Sequence, residues 1–155
     1  MAGLFCNANL ALHLWYEMPT YTIAQVSSLL QVKTAVPHAE LEIQYLLTDS
    51  RQLVHPQKTL FFALKAHKNG HDYIDALYQA GLRNFVISDA INTVKYPEAN
   101  FLQVPDTLKA LQQLVAYHRS QFAYPVIGIT GSNGKTMVKE WLYQLLREER
   151  NIVRS

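Results

Sequence analysis

A glycine-rich stretch followed by lysine and threonine gives the clearest chemical signal in the sequence. Gly131-Ser132-Asn133-Gly134 follows an apolar run and leads directly into Lys135 and Thr136, after which a helical pattern begins. The order of strand, glycine-rich turn and helix is typical of a phosphate-binding loop. Glycine lets the backbone turn tightly and bring several N–H groups toward one anion, and the helix adds its positive dipole end. The stretch therefore predicts a phosphate site.

Two side chains of this loop are predicted to act directly. Lys135 is placed to reach terminal phosphates, and the Thr136 hydroxyl can ligate Mg²⁺. The strict pattern has a glycine five residues before Gly134, where this chain has Ile129. An ordinary glycine-rich turn between a strand and a helix is the alternative. Gly-Lys-Thr between an apolar run and an amphipathic helix favours the phosphate loop.

A second group of polar residues follows predicted strands further upstream. Asp49-Ser50-Arg51 ends a strand predicted over residues 41–48, which is where α/β folds place ligand contacts. Asp49 and Arg51 could instead form a surface ion pair, which contributes little to stability. His67 and His71 are four residues apart, but Asn69-Gly70 makes this segment a loop, so we do not predict a metal pair there.

Composition limits the classes of protein that fit. The chain has 155 residues, of which 49% are hydrophobic and 17% charged, enough for one full core with a little chain left over. A net charge of +2 favours neither nucleic acid nor an anionic membrane as partner. Cys6 is the only cysteine, so no intramolecular disulfide can form, and no apolar run is long enough to span a bilayer. We expect residues 1–18 to be a poorly ordered leader, or to precede a true start at Met18.

Strands and helices alternate along the chain, which predicts an α/β sheet with helices packed on it. Thr22 is the predicted cap of a short helix, Asp72 the cap of a helix over residues 73–80, and Gly81 its C-terminal glycine. The predicted strands are residues 41–48, 59–65, 84–88 and 100–104, and a longer helix runs from Pro105-Asp106 to about Gln121. The predicted buried side chains are Leu108, Leu111, Leu114 and Val115 of that helix, and Tyr21, Tyr45, Phe61, Phe62 and Phe85 elsewhere.

The connector Ala123-Tyr124-Pro125 is the predicted domain boundary. The helix after Thr136 has a wide apolar face formed by Val138, Trp141, Leu142, Leu145 and Leu146. Such a face needs a sheet to cover it, and a phosphate-loop domain needs several more parallel strands. We therefore expect the chain to be the front piece of a longer protein. In the isolated chain, residues 137–150 are expected to be mobile or to pair with a second copy.

The same motifs resemble a known family. The loop GITGSNGKT (residues 128–136) is similar to that of the Mur ligases, the ATP-dependent amide-bond-forming enzymes of peptidoglycan precursor synthesis. Upstream, TDSR (48–51), TLFFALK (59–65), NGHDYIDAL (69–77) and NFVIS (84–88) resemble the N-terminal domain of the later Mur ligases. The resemblance begins near Tyr21 and continues to the C-terminus. It is greatest to ligases that add D-alanyl-D-alanine to UDP-MurNAc-tripeptide, including forms fused to an alanine racemase.

This resemblance implies a UDP-binding N-terminal domain over residues 19–122, with a mixed sheet and flanking helices. Residues 123–155 would then be the first strand, the phosphate loop and the helix of a central ATPase domain. It further implies a cytoplasmic enzyme whose partners are small molecules and the missing C-terminal domains of its own chain. Other groups that hold the metals, and the amine-binding domain, would lie beyond Ser155, so we expect this chain alone to be inactive.

The resemblance also assigns roles to individual residues. ATP would phosphorylate a substrate carboxylate to an acyl phosphate, which the amine of D-alanyl-D-alanine would attack. Lys135 would be the catalytic residue and Thr136 the Mg²⁺ ligand. ATP would be bound by Gly131, Ser132, Asn133, Gly134, Lys135 and Thr136, and the UDP-bearing substrate by Ser50, Arg51, Asn69, Gly70 and His71.

Two other functions remain open at this stage. A related Mur ligase adds lysine or diaminopimelate as the third amino acid, and substrate loops beyond Ser155 would distinguish it. A non-catalytic sugar-nucleotide-binding module with a vestigial phosphate loop is the alternative from another class. The intact Gly134-Lys135-Thr136 argues against such decay.

Overall fold

The computed structural model describes residues 20–66 and 68–153, so the predicted leader over residues 1–18 and His67 lie outside the described part. The chain divides between Gln121 and Phe122 into two compact units, which are described in turn. The assignment of these units to UDP and ATP binding stays a prediction. No helix in the two described ranges has both the length and the apolar character needed to cross a membrane.

The first unit begins with a small antiparallel ladder and a capped helix. Strand β1 (Tyr21–Thr22) pairs with β2 (Glu42–Ile43). Helix α1 (Ile23–Leu29) starts at Thr22, whose hydroxyl accepts a hydrogen bond from the Gln25 amide at 3.2 Å while the Gln25 side chain accepts from the Thr22 amide at 2.9 Å. This reciprocal arrangement satisfies two otherwise free amides and confirms the predicted cap.

Four parallel strands form the main sheet of the first unit, and their order in the sheet follows their order in the chain. The strands are β3 (Tyr45–Leu47), β4 (Thr59–Phe62), β5 (Asn84–Ile87) and β6 (Asn100–Gln103). The one strand predicted over residues 41–48 is therefore two strands, β2 and β3, which belong to different sheets. The main sheet is parallel throughout, not mixed, because each connection between its strands returns the chain to the same edge.

Both faces of the main sheet are covered, which explains the continuous apolar runs. Leu60 and Phe62 of β4 belong to a core cluster with Ile23 and Val26 of α1, whereas Phe61 packs into a second cluster on the opposite face. Successive strand residues point to opposite faces, and a parallel sheet buries both. The predicted burial of Phe61, Phe62 and Phe85 is confirmed. Tyr45 is 46% exposed, contrary to prediction, because β3 is an edge strand of the sheet.

Helix α2 (Ile74–Gln79) follows a 3₁₀ turn at Gly70–Tyr73, and this turn corrects one predicted cap. Asp72 lies inside the 3₁₀ turn, and the side chain of Asn69 caps that turn by accepting from the His71 amide. The chain thus begins to coil three residues earlier than predicted. Gly81 has a φ of 95° and follows α2 directly, which confirms it as the terminating glycine.

Helix α3 (Thr107–Ser120) is capped by Asp106, whose carboxylate accepts from the Leu108 and Lys109 amides at 2.9 and 3.0 Å. Its buried residues are Thr107, Ala110 and Leu114. Leu108 and Val115 were predicted to be buried, but they are 51% and 48% exposed. Each follows a buried residue by one position and is therefore turned about 100° away from the contact face.

The second unit contains helix α4 (Lys135–Leu146), which begins two residues before Met137, the predicted start. Residues 125–130 form neither helix nor strand, so the predicted strand before the glycine loop is wrong for this structure. A strand needs a hydrogen-bonded neighbour, and the described part of the second unit has no strand that could be one. None of the residues of α4 is buried.

Candidate functional site

Polar side chains gather where the parallel strands of the first unit end. Lys65 and the turn at residues 69–73 follow β4, and Ser88 and Asp89 follow β5. We call Lys65, Asn69, His71, Ser88 and Asp89 the carboxyl-edge cluster. The register that pairs β4 with β5 brings these ends side by side. Ligands of parallel α/β sheets bind at this edge, so the cluster is the candidate site of the first unit.

His71 lies at the centre of the carboxyl-edge cluster and only 7% of its side chain is exposed. Its Nε2 accepts hydrogen bonds from the backbone amides of Ser88 and Asp89 at 3.0 and 3.2 Å. Its Nδ1 lies 2.7 Å from Oδ1 of Asn69, which also accepts from the His71 amide. An atom that accepts from two N–H groups holds no proton, so His71 is neutral with its proton on Nδ1. Burial lowers the pKa of His71, which agrees with a neutral ring.

Gly70 presses the 69–73 turn against the end of β4. A Cβ atom at Gly70 would lie 2.7 Å from the carbonyl carbon of Ala63 and from the amide nitrogen of Leu64. The Gly70 amide donates to the Leu64 carbonyl at 2.8 Å. Gly70 is thus required for a close approach between two backbone segments. This is a structural reason for a glycine that the resemblance assigned to the substrate.

Lys65 and Asp89 form an ion pair at the mouth of the cluster, with Nζ and Oδ1 separated by 2.5 Å. Their side chains are 54% and 41% exposed, so the pair is open to solvent. The hydrogen bond from Lys65 lowers the pKa of Asp89. An exposed pair of this kind contributes little to stability.

Asp49 and Arg51 form a second ion pair after β3. Arg51 Nε and Nη2 donate to the two carboxylate oxygens of Asp49 at 2.9 and 2.6 Å. Asp49 also caps the short 3₁₀ turn Ser50–Gln52. The hydrogen bonds from Arg51 lower the pKa of Asp49 to about 2. Since β3 and β4 are parallel neighbours, this pair lies at the same edge as the cluster. The surface pair considered as the simpler alternative is therefore present, and ligand contacts by Ser50 and Arg51 stay predictions.

The glycine loop of the second unit has the backbone that only glycine adopts readily. Gly131 has a φ of 145° and Gly134 a φ of 79°. Gly134 directly precedes α4, so Lys135 and Thr136 occupy its first turn. The Lys135 ammonium folds back and donates to the Gly131 carbonyl oxygen. Gly131, Ser132, Asn133 and Lys135 are thus brought together at an exposed helix N-terminus, which is an arrangement that favours an anion.

Comparisons with known proteins agree with these features. No family model matches the chain. The chain is 36% identical over 114 residues to a UDP-N-acetylmuramoyl-tripeptide–D-alanyl-D-alanine ligase of Synechocystis sp. This match covers 73% of this chain and 24% of that protein. A solved MurF structure from Acinetobacter baumannii is similar, with a TM-score of 0.70 and 33% identity over 85% of this chain and 28% of that one. The chain belongs to the Mur ligase family.

A Mur ligase of another specificity also matches. The chain is 40% identical over 100 residues to a UDP-N-acetylmuramoyl-L-alanyl-D-glutamate–2,6-diaminopimelate ligase of Geobacter metallireducens. This match covers 62% of this chain and 19% of that protein. The chain thus spans about a quarter or less of the length of these curated Mur ligases.

Three members of the carboxyl-edge cluster, Ser88 and the charged residues Lys65 and Asp89, were missed by the sequence reasoning. Lys65 ends the predicted strand over residues 59–65, and Asp89 follows the predicted strand over residues 84–88. The rule that selected Asp49 and Arg51, namely that ligands meet the carboxyl ends of strands, would have found both charged residues. His71 was predicted to touch substrate, but both of its ring nitrogens already contact protein atoms.

The described residues contain no group of three or more histidine, cysteine or carboxylate side chains that could hold a metal ion. At the glycine loop, the Thr136 hydroxyl is a hard oxygen ligand in the first turn of α4. One such ligand fits Mg²⁺ bound together with nucleotide phosphates, because this ion keeps several of its waters. The role of Thr136 in this Mur ligase stays a prediction.

Proposed function

We propose that this chain is the front part of an ATP-dependent ligase that adds D-alanyl-D-alanine to UDP-MurNAc-tripeptide in peptidoglycan precursor synthesis. One observation carries the proposal: a polar carboxyl edge on a parallel sheet and a Gly-Lys-Thr loop at a helix start occur in one chain. The relative from Synechocystis, which bears the name of this activity, supports the specific reaction. The cytoplasmic location is likewise proposed, as the place where such precursors are made.

In this proposal the first unit binds the UDP end of the precursor. Arg51 and Lys65 supply two cations at one sheet edge, each now held by a neighbouring carboxylate. A diphosphate would compete with Asp49 and Asp89 for these cations. Ser50 and Asn69 would add polar contacts to the sugar or the diphosphate. Gly70 and His71 would act through the shape of the turn that carries Asn69.

The second unit would bind ATP at the glycine loop. Lys135 would leave the Gly131 carbonyl and contact the β- and γ-phosphates, while the Gly131–Gly134 amides and the start of α4 surround them. Mg²⁺, held in part by Thr136, would neutralise phosphoryl charge. A substrate carboxylate oxygen would attack the γ-phosphorus, and ADP would leave. The amine of D-alanyl-D-alanine would then attack the acyl carbon, and phosphate and a proton would leave.

A second candidate is the Mur ligase that adds diaminopimelate. The 40% identity to the Geobacter metallireducens ligase favours it. Both candidates share a UDP-bearing acceptor and ATP, and they differ in the amine that is added. Assay of the full-length ligase with D-alanyl-D-alanine and with diaminopimelate as alternative amines decides between them, since each candidate predicts turnover with one amine only.

Calorimetric titration of UDP into this chain tests the first unit, with inorganic diphosphate and Mg-ATP as parallel titrants. We expect saturable UDP binding in the wild type that is lost in Arg51→Ala. Lys58→Ala is the matched control, because Lys58 is an exposed cation that precedes β4 and so lies at the opposite edge of the sheet. ATP binding without UDP binding would overturn the substrate assignment. UDP binding without any ATP binding would favour the non-catalytic module.

The division of labour between the units has its own test in the full-length ligase. Lys135→Ala is expected to abolish ATP-dependent ligation and to leave the affinity for UDP unchanged, since Lys135 lies in the second unit. Loss of UDP affinity in that variant would contradict the division.

A further inference from the structure

The ring of His71 connects the 69–73 turn to the backbone at the end of β5. The 69–73 turn is held to the end of β4 by the Gly70 amide, which donates to Leu64 at 2.8 Å. It meets the end of β5 through the imidazole, which accepts from the Ser88 and Asp89 amides, and through a side-chain hydrogen bond between Asn69 and Asp89. Asp89 is also the partner of Lys65. The position of Asp89, and with it that of the Lys65 ammonium, thus depends on the ring of His71.

We propose that His71 is a positioning residue of the candidate nucleotide site: the neutral ring holds Asn69, Asp89 and Lys65 in the arrangement that binds a nucleoside diphosphate, and the protonated ring releases it. This inference rests on the proposed UDP site of the first unit. It goes beyond that site by assigning a role to a residue whose ring need not touch the ligand. It also gives nucleotide affinity a pH dependence that comes from the protein.

The hydrogen-bond pattern explains why protonation acts as a release. A proton on Nε2 would face two N–H donors, those of Ser88 and Asp89, with no acceptor between them. The three donors repel one another, and the largely buried ring would also carry a charge that the Asp89 carboxylate, 3.9 Å from Nδ1, offsets only in part. The ring must therefore swing out, or the Ser88–Asp89 backbone must move. Either change separates the 69–73 turn from the end of β5.

The charged groups around the ring act in both directions. The Asp89 carboxylate lies 3.9 Å from Nδ1 and favours the protonated ring, as does Asp72, whereas Lys65 disfavours it. Burial is the largest influence and lowers the pKa of His71 below its usual value near 6.5. The neutral, clamping form thus dominates at neutral pH and is lost as the pH falls through this lowered pKa.

The first measurement needs no ligand and follows the ring and the two amides by NMR from pH 8 to pH 5. We expect the tautomer with its proton on Nδ1 at high pH. We also expect the Ser88 and Asp89 amide resonances to shift with the same midpoint as the ring. In His71→Gln the side-chain oxygen can accept from both amides and cannot titrate, so this shared midpoint should vanish. A proton on Nε2 at high pH, or a ring that titrates without moving the amides, would overturn the inference.

The second measurement is UDP affinity over the same pH range. If only the neutral ring supports binding, wild-type affinity falls about tenfold for each pH unit below the His71 midpoint. His71→Gln should bind UDP with an affinity within about threefold of wild type at pH 7.5, a change under about 0.7 kcal/mol. As the pH falls, its UDP affinity should decrease only as far as titration of UDP itself requires. His71→Ala should bind weakly at both ends, with circular dichroism confirming that it is folded.

The two proposals fail in different ways. If wild type does not bind UDP at pH 7.5, the proposed nucleotide site is wrong, and the positioning role toward a nucleotide falls with it. If wild type binds UDP but His71→Gln shows the same pH dependence, the site stands and the role of His71 is wrong. Retained tight binding in folded His71→Ala has the same meaning.

Discussion

The two units of this chain satisfy their apolar residues to very different degrees. In the first unit β4 and β5 are buried along their whole length, and Phe85 is fully buried against Phe101. In the second unit α4 has no buried residue, and Trp141 and Leu145 are 58% and 75% exposed. Both stretches have strong apolar patterns. The comparison shows that an apolar pattern stabilises a fold only where neighbouring elements cover the apolar side chains.

Truncation of an apolar side chain should show the largest difference in stability loss between the two units. Phe85→Ala removes a ring that stacks on Phe101 at 5.2 Å and meets Phe61 edge to face, so we expect a loss of about 3–5 kcal/mol in the free energy of unfolding. Leu145→Ala in the exposed face of α4 should cost under about 0.5 kcal/mol. Urea unfolding of this chain measures both. Equal losses would mean that α4 is covered in solution.

Amide exchange should sharpen the same contrast between helices. Amides in α3, whose Ala110 and Leu114 are buried, should be protected at least about a hundredfold more than those in α4, a difference of about 2.7 kcal/mol in opening free energy. Hydrogen exchange of a dilute sample read residue by residue gives this ratio. Strong protection of α4 at low concentration would contradict the expectation of a mobile helix, and protection that rises with concentration would indicate pairing of two copies.

A pair of glycine substitutions compares the two candidate sites. Gly70→Ala would place a Cβ atom 2.7 Å from the backbone of Ala63 and Leu64, so we expect a loss of about 1–3 kcal/mol and altered NMR shifts throughout the 69–73 turn. Gly128→Ala is the control, because a Cβ atom there meets no atom within 4 Å. Thermal unfolding measures both variants. A stable, unshifted Gly70→Ala protein would show that the turn does not press on β4.

The smallest effect concerns the Asp49–Arg51 pair. The pKa of the Asp49 carboxyl in the folded chain, about 2, lies below the ordinary value of 3.8. The pair's contribution to stability is therefore present above pH 3.8 and is lost as the pH falls toward 2. NMR titration of the Asp49 carboxyl in Arg51→Gln should give a pKa raised toward the ordinary value, while the hydrogen bond from the backbone amide of residue 51 still lowers it. Because the pair is exposed, we expect no measurable change in stability at neutral pH. An unchanged pKa in the variant would show that Arg51 is not its cause.

Much of the fold could be predicted because it is set by residues close in sequence. The Thr22 and Asp106 caps and the terminating Gly81 are all set by residues within a few positions of the helix ends. The buried strands were also found, because strands covered on both faces leave uninterrupted apolar runs. At the candidate site, the positions of Asp49, Arg51 and the 69–73 turn could be predicted because these residues follow the ends of predicted strands.

Other features could not be predicted because they depend on residues far apart in the chain. The division of residues 41–48 between two sheets is decided by the pairing of β2 with β1 and of β3 with β4. Residues 125–130 have the composition of a strand, but the described part of the second unit offers no strand for them to pair with. The exposure of Leu108 and Val115 follows from which face of α3 is buried, the one that carries Thr107, Ala110 and Leu114, and periodicity alone does not fix that face.

The sequence by itself determined the Thr22 and Asp106 caps, the buried strands, the glycine loop and the resemblance to the Mur ligases. The tertiary structure alone decided what His71 does. Only the parallel register of β4 and β5 brings the Ser88 and Asp89 amides to its ring, from 17 and 18 residues further along the chain. Local propensity acts over a few residues, whereas hydrogen bonds of a buried ring are set by whichever backbone the fold places beside it.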